Sequence, residues 1–234
     1  AVGSFFVNSA LSATAGSLTL NAIGDTVSFG AGGSVSGVDV YLDTAQALTL
    51  GSTTASGSLT ITSDGAVTQS AAADVTGLTT VTTTNDAVTL GQTNSFSTIT
   101  VETAATGAAA DVAITDADAL ALGAINAASL TIIADGAISQ SGDLSAGGLA
   151  SFNTSGDTVT LERAGNAFGS VAVDTTYTGM TTADVSIIET DTMTLGSIDA
   201  NALTLNAGGG IADQTGAVIS TEGAASFTAV NEIT

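Results

Sequence analysis

The sequence predicts an all-β fold, a right-handed parallel β-helix (β-solenoid) of about eleven short rungs with almost no helix. Three observations carry this. A block of about 72 residues recurs, apolar-Thr-apolar triplets mark every copy, and no stretch sustains the 3.6-residue pattern of an amphipathic helix. Leu48-Thr49-Leu50-Gly51 returns as Leu120-Ala121-Leu122-Gly123 and again as Met193-Thr194-Leu195-Gly196, at spacings of 72 and 73 residues (120 − 48 and 193 − 120). Ser58-Leu59-Thr60-Ile61 followed by Asp64-Gly65-Ala66-Val67-Thr68-Gln69-Ser70 returns as Ser129-Leu130-Thr131-Ile132 and Asp135-Gly136-Ala137-Ile138-Ser139-Gln140-Ser141. Asn85-Asp86-Ala87-Val88 matches Gly156-Asp157-Thr158-Val159 and Gly24-Asp25-Thr26-Val27, and Asn94-Ser95-Phe96 matches Asn166-Ala167-Phe168.

These matched segments, always in the same order, define long repeats over 43–115, 116–190 and 191–234, with a partial copy before residue 43. Each unit buries its apolar face against its neighbours, so 1–234 reads as a single elongated β-solenoid domain. The last copy breaks off inside the repeat, at Asn231-Glu232-Ile233-Thr234, and the expectation is a fragment of a longer polypeptide.

Strand cores follow in chain order from Leu18-Thr19-Leu20 through Leu48-Thr49-Leu50, Leu59-Thr60-Ile61, Val88-Thr89-Leu90, Ile99-Thr100-Val101 and Val112-Ala113-Ile114. The series continues with Leu120-Ala121-Leu122, Leu130-Thr131-Ile132, Val159-Thr160-Leu161, Val171-Ala172-Val173, Val185-Ser186-Ile187, Met193-Thr194-Leu195 and Leu203-Thr204-Leu205. In each, the outer residues face one way and the middle residue the other. β-Branched side chains suit such a pleated surface, and Gly, Asn, Asp and Ser between triplets supply turns, with Gly and Asn tolerating positive φ. Strands this short do not pair stably as isolated hairpins. Coiling the chain so that each triplet pairs with its equivalent one turn away satisfies the backbone, with three faces per turn of roughly 20 residues and rungs about 4.8 Å apart. Crossover chirality sets the right-handed winding. An immunoglobulin-like sandwich would use longer strands, a core Trp and Pro-marked turns, and the chain has no Trp and no Pro. A calcium β-roll needs a Gly-Gly-x-Gly-x-Asp nonapeptide that does not occur.

Composition narrows the function classes. Aromatic residues make up only 4% of the 234, so Leu, Ile, Val and Ala must fill a narrow core. Mean hydropathy is +0.47, yet no run of 18 apolar residues exists, and no membrane insertion is expected. Net charge is −21, with Arg163 the only cation. Nucleic acid is therefore not an expected partner, because phosphate neutralisation needs Lys and Arg. The acids read most simply as a solvated outer surface.

The segments Asn166-Ala167-Phe168-Gly169-Ser170-Val171-Ala172-Val173, Leu120-Ala121-Leu122-Gly123 and Asp135-Gly136-Ala137-Ile138-Ser139-Gln140-Ser141 resemble the repeats of filamentous-haemagglutinin-type bacterial exoproteins, over about residues 15 to 234. The resemblance implies a right-handed parallel β-helix shaft in a very large secreted or cell-surface protein. It carries no active site.

Chemistry is scarce. With no His, Cys or Lys, nucleophilic triads and imidazole or thiolate metal sites cannot be built. Carboxylate pairs such as Asp116 with Asp118, or Glu189 with Asp191, leave a glycan-active enzyme as the least favoured alternative. Asp111, Asp116 and Asp118 offer the oxygen ligands calcium takes, which makes calcium the only cofactor the sequence suggests, although solvated turn carboxylates are the simpler reading. Thr79-Thr80-Val81-Thr82-Thr83-Thr84 suggests a flat Thr face of the ice-binding kind, but Thr is also the ordinary outward residue of a strand. Gln69, Gln140 and Gln214 recur at one repeat position, where half-buried hydrogen bonding is expected.

The expectation is a non-enzymatic shaft segment of an extracellular or cell-surface bacterial adhesin, giving reach and surface interaction. Its partners would be a host or neighbouring-cell surface, a glycan, or further copies of itself stacked end to end. A subunit of an extracellular filament or surface layer is the alternative.

Overall fold

A computed structural model of the chain describes residues 3–22, 24–104, 107–176 and 182–234. These residues form only β-strands, turns and bends, with no helix. The strands pair in parallel and stack as a β-solenoid of about eleven turns. By contact density the chain divides into two compact units, Ala1–Ala117 and Asp118–Thr234.

In the first unit three ladders run from coil to coil. One carries Leu48–Leu50 paired with Val67–Gln69 in register, Leu48 opposite Val67 and Leu50 opposite Gln69, and continues through Val88 to Val112–Asp116. A second joins Ala10–Ser12, Ser34–Gly37 and Ser52–Ala55. The third joins Leu18–Ala22, Val40–Thr44 and Leu59–Ser63. Burial alternates as the triplets require: Leu48 and Leu50 are fully buried and Thr49 is exposed. Leu42, Ile61, Val81 and Val101 form one such inward column, each no more than 1% exposed. The second unit repeats the pattern, with Leu120, Ile138, Val159, Val185 and Leu203 all buried. Phe152 and Phe168, ring centroids 6.0 Å apart and edge-on at 69°, are its widest fillers.

The ends of the third ladder show how the turns are stabilised. Thr44, Ser63 and Thr83 stack in register facing inward, each almost fully buried. Their hydroxyls take up turn carbonyls: Ser63 Oγ donates to Gln46 O at 2.9 Å and Thr83 Oγ1 to Asp86 O at 2.5 Å. Thr154 does the same to Asp157 O at 2.5 Å, one long repeat later. The turns so closed contain Asn85 (φ 63°) and Gly156 (φ 88°), and Gly24 (φ 75°) occupies the matching place earlier in the chain. This is the left-handed region that Gly and Asn enter most cheaply.

One expectation needs correction. Several triplets do not end in sharp turns but fuse into long strands, Ala73–Thr83, Val88–Glu102 and Leu144–Thr154. The backbone stays extended around the corner and absorbs the change of direction as a register shift, between Val75 and Leu78 and between Ala146 and Leu149. A bulge can bend a strand without breaking it. Gly77 and Gly147-Gly148 sit at these corners, where a Cβ on Gly77 would run into the carbonyl of Gly57.

Candidate functional site

At the corner after Val88-Thr89-Leu90, backbone groups swing out of ladder register, between Leu90 and Asn94. Buried backbone groups without partners are costly, and the Asn94 side chain, fully buried, supplies them. The two hydrogens of its Nδ2 are shared among Leu90 O (3.1 Å), Gln92 O (2.8 Å), Thr115 O (2.9 Å) and Gln69 Oε1 (3.1 Å). Its Oδ1 accepts from Ala73 N (2.8 Å) and Gln69 Nε2 (2.7 Å). Asn94 and Gln69 thus form a reciprocal amide pair across 25 positions of sequence. The carboxylate of Asp116, 1% exposed, closes the arrangement by accepting the N–H of Phe96 at 2.8 Å.

The second unit contains the same clamp. Asn166, fully buried, pairs reciprocally with Gln140 (Nδ2 to Oε1 2.9 Å, Nε2 to Oδ1 2.9 Å) and donates to Leu161 O and Ile188 O. Its Oδ1 also accepts from Leu144 N at 3.1 Å. Glu189 takes the place of Asp116 and accepts the N–H of Phe168 at 2.8 Å through Oε1. The extra methylene comes with a difference: Glu189 Oε2 is buried and has no hydrogen-bond partner among the described residues. Burial raises the Glu189 carboxyl to about 7; the Phe168 N–H opposes that rise and the nearby Asp191 charge adds to it.

Sequence reasoning placed Gln69 and Gln140 correctly as half-buried hydrogen-bonding residues; Gln214, the third copy, is exposed. It missed the partners. Asn94 and Asn166 stood out only as repeat markers, and Asp116 and Glu189 were grouped with exposed acids. The available signal was an acid at both positions, one long repeat apart, each following its Asn by a little over 20 residues.

The calcium candidates are placed differently from one another. Asp111 and Asp118 are exposed, whereas Asp116 faces inward and is committed to Phe96 N. Among the described residues no group of three or more His, Cys, Asp or Glu could hold a metal ion. Other acids are tied into turns. Asp39 accepts from Ser58 Oγ (2.7 Å) and Ser58 N (2.9 Å), and these bonds hold its carboxyl below the usual value. Arg163 Nε donates to Asp143 Oδ1 at 2.7 Å, an exposed pair that contributes little to stability. No described helix is long and apolar enough to cross a membrane.

The described residues make the chain a repeat β-solenoid in which the Asn94 and Asn166 clamps hold corners of the coil. The chain belongs to the DUF5649 family, described as repeats of unknown function, which matches residues 37–103, 109–175 and 182–234. The three matches begin one long repeat apart, as the Leu48, Leu120 and Met193 triplets do. No curated protein and no solved structure matches the chain.

Proposed function

We propose that this chain is a structural shaft segment of a large extracellular or cell-surface bacterial protein, an adhesin of the filamentous-haemagglutinin type, with a role in reach and attachment and none in catalysis. The observation that carries this reading is the repeated clamp. In two places one long repeat apart, an Asn, a Gln and an acid are spent on holding a corner of the coil. What remains outward is chiefly Thr, Ser, Ala and Asp, on a chain whose single cation is already paired. Strong negative charge keeps such a surface soluble and discourages self-association. Repeats that contact only their neighbours can be added in series, as extending a shaft requires.

Antibodies raised against the 234-residue chain test the location. Intact cells of the source organism should be labelled without permeabilisation, and brief protease treatment of intact cells should remove the label. Label that appears only after permeabilisation would overturn the proposal.

A further inference from the structure

The outward face of the third ladder in the first unit carries one residue out of keeping with the rest. Along that face the outward positions run Thr19, Tyr41, Thr60, Thr80 and Thr100, each opposite the next in the ladder. Tyr41 lies between the buried residues Val40 and Leu42 and stands 39% exposed. Its hydroxyl makes no hydrogen bond among the described residues, and its ring points away from the core.

Beside it the neighbouring outward column places Asn21, Asp43 and Thr62 in register. Asn21 Nδ2 donates to Asp43 Oδ2 at 2.9 Å, which fixes the carboxylate against the face and leaves its other oxygen to accept. Asn21 Oδ1 is a buried acceptor with no donor among the described residues. Thr19, Asn21, Tyr41, Asp43, Thr60 and Thr62 line a shallow groove of about 400 Å³ across three consecutive coils, within the range of small-ligand sites.

We propose that this groove binds a neutral saccharide; the proposal builds on the surface-shaft reading and names its ligand class. An aromatic ring flanked by fixed acceptors and free hydroxyls suits a ligand with one apolar C–H face and a rim of hydroxyls. The Asp43 carboxylate accepts from ligand hydroxyls through charge-assisted bonds. Anionic sugars are excluded on charge: residues 1–117 contain acids and no Lys or Arg, so a sulfate or uronate would meet only repulsion. The groove of about 350 Å³ on the second unit, lined by Asn153, Asp174, Asp199 and neighbouring residues, has no aromatic ring and serves as an internal comparison.

Ligand-observed saturation-transfer NMR on the full chain tests this with malto-, cello-, xylo- and chito-oligosaccharides. A sulfated oligosaccharide and a Lys-rich tetrapeptide serve as charged probes. At least one neutral oligosaccharide should bind, with affinity reduced at least tenfold in Tyr41→Ala, largely retained in Tyr41→Phe and reduced severalfold in Asp43→Asn. Circular dichroism and melting temperature should be unchanged in all three variants, because the substituted side chains lie outside the core. A blank across the neutral panel, undiminished binding in Tyr41→Ala, or tighter binding of either charged probe would overturn the assignment. None of these results bears on the cell-labelling test, so the groove and the shaft can fail separately.

Discussion

Asn94→Leu should destabilise the first unit by about 3–5 kcal/mol, and Asn166→Leu the second by a similar amount, values typical of breaking a buried polar network. Leucine keeps asparagine's branching but is larger, so the expected cost comes from lost hydrogen bonds with some overpacking, and not from a cavity. In the first unit the substitution strips partners from Ala73 N, Leu90 O, Gln92 O, Thr115 O and the Gln69 amide nitrogen, while Gln69 Oε1 keeps the N–H of Gln92. Each orphaned buried group costs about 1–3 kcal/mol, offset in part by relaxation and water entry. Gln69→Leu removes the other half of the amide pair. Because the two residues share one network, the double variant should cost less than the two single costs combined, with a coupling of about 1–3 kcal/mol. Urea unfolding measures all three, and Thr54→Ala, at an exposed outward position, should stay within about 0.5 kcal/mol of the parent. Strict additivity of Asn94→Leu and Gln69→Leu would show that the amides do not act together.

The second large effect is on pH. Burial raises the folded pKa of Glu189 to about 7 from its ordinary value of 4.5. The folded state therefore binds more protons than the unfolded state between these values. The stability this group leaves intact is complete below pH 4.5, falls as pH rises through the window, and levels off above 7. At 1.36 kcal/mol per unit, the loss is about 3 kcal/mol. Glu189→Gln keeps an acceptor for Phe168 N and cannot ionise. Urea midpoints at pH 5 and pH 8 should fall substantially in the parent and much less in the variant, which should be the more stable of the two at pH 8. The general repulsion among surface carboxylates is common to both proteins and cancels in the comparison. Equal pH dependence in parent and variant would show that the Glu189 proton is not the cause.

What the sequence disclosed and what it hid divide along physical lines. The inward and outward sense of every Leu-Thr-Leu-type triplet was legible, because a two-residue period leaves one side chain per triplet outside. The turns at Gly24, Asn85 and Gly156 were legible because few residues tolerate positive φ. The corner of the long strand Ala73–Thr83 was not: whether Gly77 ends a strand or bends it depends on the coil beneath. The clamp was half legible. Gln69 and Gln140 recur conspicuously, but their asparagine partners lie 25 and 26 residues on, in another coil. Asp116 and Glu189 were misread for a general reason. Acids are usually solvated, and only the three-dimensional structure reveals that one in each unit is called inward by an unpaired Phe N–H. Tyr41 gave no signal, since a lone aromatic in a strand is ordinarily a core residue.

Parallel, in-register stacking of successive coils underlies every argument above, and the cysteine-free chain allows it to be measured by engineered cross-linking. Thr49 and Thr68 are in-register outward neighbours with hydroxyls 3.1 Å apart, while Thr89 lies one coil further on. Neighbouring strands stand about 4.8 Å apart, within the Cα separation of up to ~7 Å that a disulfide can span; two coils, at about 10 Å, exceed it. Under mild oxidation the double variant Thr49→Cys/Thr68→Cys should form an intramolecular disulfide readily, with a native circular dichroism spectrum, while Thr49→Cys/Thr89→Cys should remain reduced. Equal bridging of both pairs, or bridging of the two-coil pair alone, would contradict the coil-on-coil register.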